Sequence, residues 1–181
     1  MKKVKIWHAF PLLALIVGLS ASCTKDEGIQ LDFTITVPDN WTHFTLANQG
    51  LVYTAERDQV NPQDTVREYL LIFKEPLKGY TLDLYYEAIK GQLLESDQYV
   101  STIEEKDTTI NGADSKRIIY NEVGYYITKT RDTIDMNQIT TLYFFLENSN
   151  GFNLSLVSID TLYDENKPVF DDIMSTFQFK N

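Results

Sequence analysis

The chain has 181 residues, with 16 basic and 26 acidic side chains, two histidines and one cysteine. Such acidity argues against nucleic acid and anionic lipid as partners, since both need clustered Lys and Arg. A single cysteine excludes an internal disulfide.

Met1 to Lys5 carry three lysines and no acid, Ala9 to Leu19 are almost wholly apolar, and Ser20-Ala21-Ser22 are small residues of the kind a signal peptidase accepts. The apolar run is about half of the ~20 residues a spanning helix needs, and Pro11 stands near its start. Residues 1–22 are therefore expected to be a cleaved secretion signal. Leu19-Ser20-Ala21-Ser22-Cys23 resembles the lipobox of bacterial lipoproteins, with the leucine one position further from the cysteine than usual. The resemblance implies lipid on the Cys23 thiol. Each acyl chain contributes about 0.8 kcal/mol per buried methylene, so two or three chains hold a protein on the membrane without spanning it. Thr24-Lys25-Asp26-Glu27 resembles the Lys-acid-acid export tract of Bacteroidota surface lipoproteins, and its other reading is a solvated tether. The expected location is the outer membrane, with the cell surface as the more specific alternative. Residues 23–30 read as lipidated cysteine and tether. Past residue 22 the chain carries 13 basic against 26 acidic side chains, a net charge of −13, and residues 31–181 have the size of one domain.

Within that domain, Leu31, Phe33, Ile35 and Val37 alternate with polar residues, the period of a strand with one buried face, and Pro38-Asp39-Asn40 ends it. Strands are also expected over Leu51–Glu56 and Val66–Lys74. The continuous apolar run Tyr69-Leu70-Leu71-Ile72-Phe73 marks the latter as covered on both faces. Leu82, Tyr85, Tyr86, Ile89 and Leu93 recur at helical spacing after Thr81, a suitable N-cap, and Gly91 within them suggests close packing on a strand. Strands follow over Tyr99–Ile110, Ser115–Glu122, Ile139–Glu147 and Phe152–Ile159. Tyr125–Arg131 is an additional strand, with Asp132–Asn137 as its polar turn. Asn111-Gly112 and Asn150-Gly151 read as hairpin turns, because both residue types tolerate positive φ. A second helix is expected over Glu165–Ser175, with Pro168 in its first turn and Val169, Phe170, Ile173 and Met174 inward, and Phe177–Lys180 closes the chain as a strand. Many strands with two helices indicate α+β: a mostly antiparallel sheet covered by two helices.

Phe33-Thr34-Ile35-Thr36-Val37-Pro38 followed by Asn40-Trp41, the hairpin opening Asn111-Gly112-Ala113, and the ending Ile173-Met174-Ser175-Thr176-Phe177 are similar to the PsbP-like domain. The resemblance covers about Leu31 to Lys180. It implies an α/β/α sandwich and a mostly non-enzymatic binding or assembly role, and it carries over no functional residue.

A hydrolase triad needs a base beside a nucleophile. Past the signal only His43 remains, read as a loop or partly buried residue, and the lone cysteine is committed to lipid. No phosphate loop, zinc spacing or EF-hand pattern occurs, so no cofactor or metal is expected. Asp132, Asp135 and Asn137 could gather oxygens in a turn, but they lack the alternation of calcium loops and read as solvated, as do Asp171-Asp172 and Glu104-Glu105. Paired acids for glycoside hydrolysis are a three-dimensional property that sequence leaves open. Asp64-Thr65-Val66, Asp107-Thr108-Thr109, Asp132-Thr133-Ile134 and Asp160-Thr161-Leu162 look like the Asp-Thr-apolar acceptor of Bacteroidota O-glycosylation, more often than composition predicts. The other reading of Thr65, Thr108, Thr133 and Thr161 is that Asp-Thr simply suits turns and strand ends. Tyr99, Tyr120, Tyr125, Tyr126 and Tyr143 are strand residues that alternation does not assign wholly to the core, and they are the candidate ligand contacts. Together these features indicate a lipid-anchored, non-catalytic envelope binding or assembly module that holds a protein or envelope ligand. A carboxylate-dependent envelope glycan hydrolase is the competing class.

Overall fold

The computed structural model describes residues 30–46, 50–59, 68–127 and 133–180, without the side chains of 125–127 and 133–134. In chain order the elements are β1 (Phe33–Thr34), β2 (Trp41–Thr45), β3 (Leu51–Arg57), β4 (Tyr69–Pro76), α1 (Leu82–Leu94), β5 (Tyr99–Ile110), β6 (Ala113–Ile127), β7 (Thr133–Glu147), β8 (Asn150–Ile159), α2 (Tyr163–Thr176) and β9 (Gln178–Phe179). Seven strands form one sheet in the order β2-β3-β4-β8-β7-β6-β5, antiparallel throughout, while β1 and β9 make a separate two-stranded ladder.

Strand alternation divides the core into two layers. Along β7, Leu142 and Phe144 meet Tyr85, Tyr86, Ile89 and Leu93 of α1, whereas Tyr143 and Phe145 meet Phe170, Ile173 and Met174 of α2. The helices therefore lie on opposite faces of the sheet, giving the expected α+β sandwich. Thr81 caps α1 as its residue type suggests, its hydroxyl accepting from the Leu84 N–H at 3.2 Å. In β4, Leu70, Leu71 and Ile72 are all buried, as the unalternating run requires of a strand covered on both sides.

Several elements differ from the sequence expectation. Residues 41–45, where no strand was expected, form edge strand β2, and only Phe33–Thr34 of the alternating 31–37 segment enters a ladder. Residues 125–127 continue β6, and Asp135 and Asn137 lie in β7 opposite Tyr125 and Val123, so residues 133–137 are strand and not turn, while residues 128–132 lie outside the described residues. The physical reason is that Asp135 and Asn137 occupy alternate, exposed positions, which a long hairpin accommodates without breaking. The turn between β7 and β8 is Asn148-Ser149 (φ 50° and 61°), not Asn150-Gly151. Gly151 is instead a close-approach residue in β8, where a Cβ would lie 2.3 Å from Leu77 Cδ1 and 2.8 Å from Tyr85 Cζ. Helix α2 begins at Tyr163, which moves Pro168 beyond the first turn; buried Tyr163 is held there by a 3.0 Å hydroxyl contact with Thr141.

Gly91 is the opposite case. A Cβ there would meet nothing within 4 Å, so close packing is not its role. Gly91→Ala should raise the unfolding free energy by about 0.5–1 kcal/mol in urea titration, through helix propensity alone. An unchanged or lower midpoint would refute an open, regular helix at this point.

Candidate functional site

Among the described residues the sheet ends at β5, twelve residues long, which forms a ladder there with β6 alone. Register shifts place Val100 and Ile103 as the extra residues of two β-bulges, and these two are 57% and 51% exposed. Bulges blunt a sheet edge or re-aim its side chains. Here they set two branched apolar groups in solvent.

Between α1 and the β5–β6 hairpin lies a polar trough. One hollow of about 400 Å³ is bordered by Asp83, Asp107, Thr108, Thr109, Asp114 and Lys116. A second, of about 290 Å³, shares Asp107 and Lys116 and adds Tyr86, Glu87, Glu105 and Lys106. The hairpin register sets Lys116 opposite Asp107, and the first turn of α1 brings Asp83 over both. The Lys116 ammonium consequently donates to Asp107 Oδ1 at 2.7 Å and contacts Asp83 Oδ1 at 2.9 Å, and hydrogen bonds to these two carboxylates push its pKa up to about 12. Lys90 donates to Glu105, and that bond holds the Glu105 carboxyl below the usual carboxylate range. The Tyr86 ring lies under the Lys90 and Lys116 ammoniums at 5.5 and 5.4 Å. Its phenol is pushed up by burial and by the Glu105 carboxylate that its hydroxyl faces.

On the opposite face Arg117 pairs with Glu104 and lies 5.9 Å over the Tyr143 ring, lowering the Glu104 pKa. Glu104 and Glu105 are thus ion-paired on two different faces rather than simply solvated; Asp171 likewise pairs with Lys167, as does the solvent-facing end of many helices. Glu122 is buried and accepts from the Thr140 hydroxyl; burial raises its pKa. A group whose folded pKa is raised contributes stability in acid that is lost as pH rises through that folded value. Glu122→Gln should therefore unfold at the same urea concentration as wild type in acid and at a higher one near neutrality. Midpoints that stay parallel across that range would refute the ionisation of a buried carboxyl.

The structure separates the sequence candidates rather than gathering them. Tyr120 and Tyr143 are both 3% exposed, packed against α1 and α2 respectively, so neither is a surface contact; alternation failed to assign them because the sheet is covered on both sides. Tyr99 is half-buried, its ring tilted against Tyr120 at 6.3 Å. Tyr125 and Tyr126 lie on β6, with side chains outside the description. His43 is not in a loop: it is exposed on β2, on the same face as Trp41 two residues before it, and its ring stacks on Tyr53 at 5.8 Å. Cys23, Thr65 and Asp132 lie outside the described residues, as does the Thr133 side chain. Thr108 is half-buried on β5, and Thr161 is exposed, its N–H donating to Asp160 Oδ1 at 2.7 Å, the local turn bond that favours Asp-Thr pairs. Among the described residues no His, Cys, Asp or Glu group could hold a metal, and no helix is long and apolar enough to cross a membrane.

The trough was missed because its residues come from three elements. Two pairs were nevertheless legible: counting outward from Asn111-Gly112 sets Asp107 opposite Lys116 and Thr109 opposite Asp114.

No family model matches the sequence, and comparison with curated proteins finds no relative. Solved structures do share the fold. PA94 from Pseudomonas aeruginosa, a protein of unknown function, superposes with a TM-score of 0.55 at 13% identity, over 82% of this chain and 98% of that one. CyanoP, the PsbP of Synechocystis, gives 0.52 at 15% identity over 88% and 98%. LpqN of Mycobacterium tuberculosis, involved in cell envelope biogenesis, gives 0.56 at 12% identity over 82% and 83%. The fold is PsbP-like.

Proposed function

We propose that this protein is a lipid-anchored, non-catalytic module of the cell envelope that binds or assembles with a protein partner. The observation that carries the reading is the long β5 edge, with Val100 and Ile103 turned out by its two bulges beside a polar trough. An edge strand is a ready template for a partner chain, and exposed branched side chains beside it add apolar contact. Among the acids of the trough Glu105 is paired with Lys90, and Asp83 and Asp107 with Lys116, while the carboxyls raised by burial, Glu75 and Glu122, border neither hollow, which favours binding over glycan hydrolysis. Support for an envelope setting comes from the secretion signal, Cys23 and the shared fold with LpqN. A sugar on Thr108 or Thr161 would enlarge the solvated surface near the ends of the sheet, and an intact mass from the native host would show it.

Two experiments test the reading. A photo-crosslinking residue at Val100 should capture a partner in native membranes, while one at Glu165, exposed on α2, should not. Capture at both sites, or at neither, would overturn it. Cys23→Ala should move the protein wholly from the membrane to the soluble fraction and abolish fatty-acid labelling, since loss of the acyl chains removes the binding energy. Retained labelling would exclude Cys23 as the acceptor.

A further inference from the structure

We propose that the trough between α1 and β5, with the open edge of β5, takes an extended basic segment of a protein, carrying Lys or Arg at every second position. This rests on the binding-module reading and names the ligand class for it. The first ground is charge. Five carboxylates border the hollows or their rims, Asp83, Glu87, Glu105, Asp107 and Asp114, against Lys106 and Lys116 and the adjoining Lys90. Asp83 and Asp107 are 78% and 83% exposed although each already contacts Lys116, and Asp114 makes no ion pair among the described residues. An ammonium or guanidinium arriving from solvent finds unsatisfied acceptor capacity on all three.

The second ground is the edge itself. Among the described residues no strand lies beyond β5, so its outward backbone N–H and C=O groups are open to a partner chain, while Tyr86, its hydroxyl beside the Glu105 carboxylate, floors the second hollow. The third is periodicity. Glu105 and Asp107 lie on the α1 face of β5, with Glu104 and Lys106 on the other. A strand added at about 4.8 Å beyond β5 presents alternate side chains to the same face, so a basic residue at every second position lies beside Glu105 and Asp107. From Glu104 to Ile110 the register runs without a shift, a length suited to such pairing, and Val100 and Ile103 stand ready for apolar residues at one end of the segment. A free polyamine has the charge but no backbone N–H or C=O to pair with the edge, and an acidic partner would be repelled.

The probe is a fluorescein-labelled (Lys-Thr)5 peptide, titrated by anisotropy into the full chain in non-ionic detergent. It should bind saturably and weaken with added salt, whereas (Glu-Thr)5 should not bind. Asp83→Asn with Asp107→Asn and Asp114→Asn should weaken it at least tenfold under conditions where circular dichroism shows the variant folded. Asp114→Asn alone, which breaks no described ion pair, should weaken it about threefold. N-methylation of every peptide residue, which removes all its backbone N–H donors whichever way the strand runs, should cost at least tenfold. Equal binding by (Glu-Thr)5, by the triple variant or by the N-methylated peptide would overturn the proposal. So would spermine binding as tightly as (Lys-Thr)5. Partner capture at Val100 with no affinity for (Lys-Thr)5 would overturn the basic ligand alone and leave the binding-module reading standing.

Discussion

Phe145→Ala is expected to lower the unfolding free energy by about 3–5 kcal/mol, the range for emptying a buried phenylalanine site. Phe145 is fully buried on β7, opposite Phe152 of β8. Its ring meets Phe177 at 5.0 Å and Phe179 at 5.7 Å, while Phe33 joins the same cluster through Phe177 at 5.4 Å and Phe152 at 6.3 Å. The cluster thus ties the two-stranded ladder of β1 and β9 to the main sheet. That ladder has two residue pairs, too few to hold itself without the packing. Because the surrounding rings come from three strands and the end of α2, the cavity can close only by moving several elements, which places the cost in the upper part of the range. Urea titration gives the loss, and amide exchange of Phe33 and Thr34 should accelerate more than that of Leu142. A loss below about 1 kcal/mol, or uniform acceleration, would show that the site collapses freely and that the ladder is held by something else.

The architecture was legible wherever a single periodicity governed a segment. Helix α1 and its cap, the central β4, the β5 boundaries and the Asn111-Gly112 turn follow from spacing and residue type. The Asn111 side chain adds something no local pattern shows: its amide donates to the carbonyls of Ser175 and Phe177 at 2.7 and 2.8 Å, tying the hairpin to the end of α2. Misreadings arose where tertiary contact overrode local preference. Trp41 is buried under α2, which draws the polar Trp41–Thr45 segment into the sheet as an edge strand. Gly151 looked like a turn residue, but Leu77 and Tyr85 require its missing side chain within a strand. The tyrosines misled for a related reason. In a sheet covered on both faces, alternation distributes residues between two cores, so a tyrosine on either face is packed, as Tyr120 and Tyr143 are. The candidate surface is instead built of acids, lysines and two bulge residues, which individually read as ordinary solvated positions.

Glu68→Ala is expected to cost about 3–5 kcal/mol, the loss typical of breaking a buried ion pair from one side. Glu68 is 1% exposed, just before β4. One carboxylate oxygen pairs with the Arg57 guanidinium at the end of β3, and the other accepts from Asn166 Nδ2 of α2 at 2.8 Å; Asn166 donates in turn to Ser158 Oγ of β8 at 2.9 Å. The Arg57 N–H also donates to the Glu68 carbonyl at 2.9 Å, so side chain and backbone join the same two strands. Removing the carboxylate strips Arg57 of a charged partner and frees one donor of Asn166 in a site with little access to water. Glu68→Gln should cost less, about 1–3 kcal/mol, since its amide oxygen still serves one donor while its NH2 opposes the other. Packing and charge are separated by pairing Glu68→Met with Arg57→Met. If the loss comes from a stranded charge, the double variant should recover at least half of what Glu68→Met loses alone, because it removes both members of the ion pair. Additive losses in that cycle would show that Arg57 and Glu68 stabilise the sheet through separate contacts and that the carboxylate is not the hub between β3, β4 and α2.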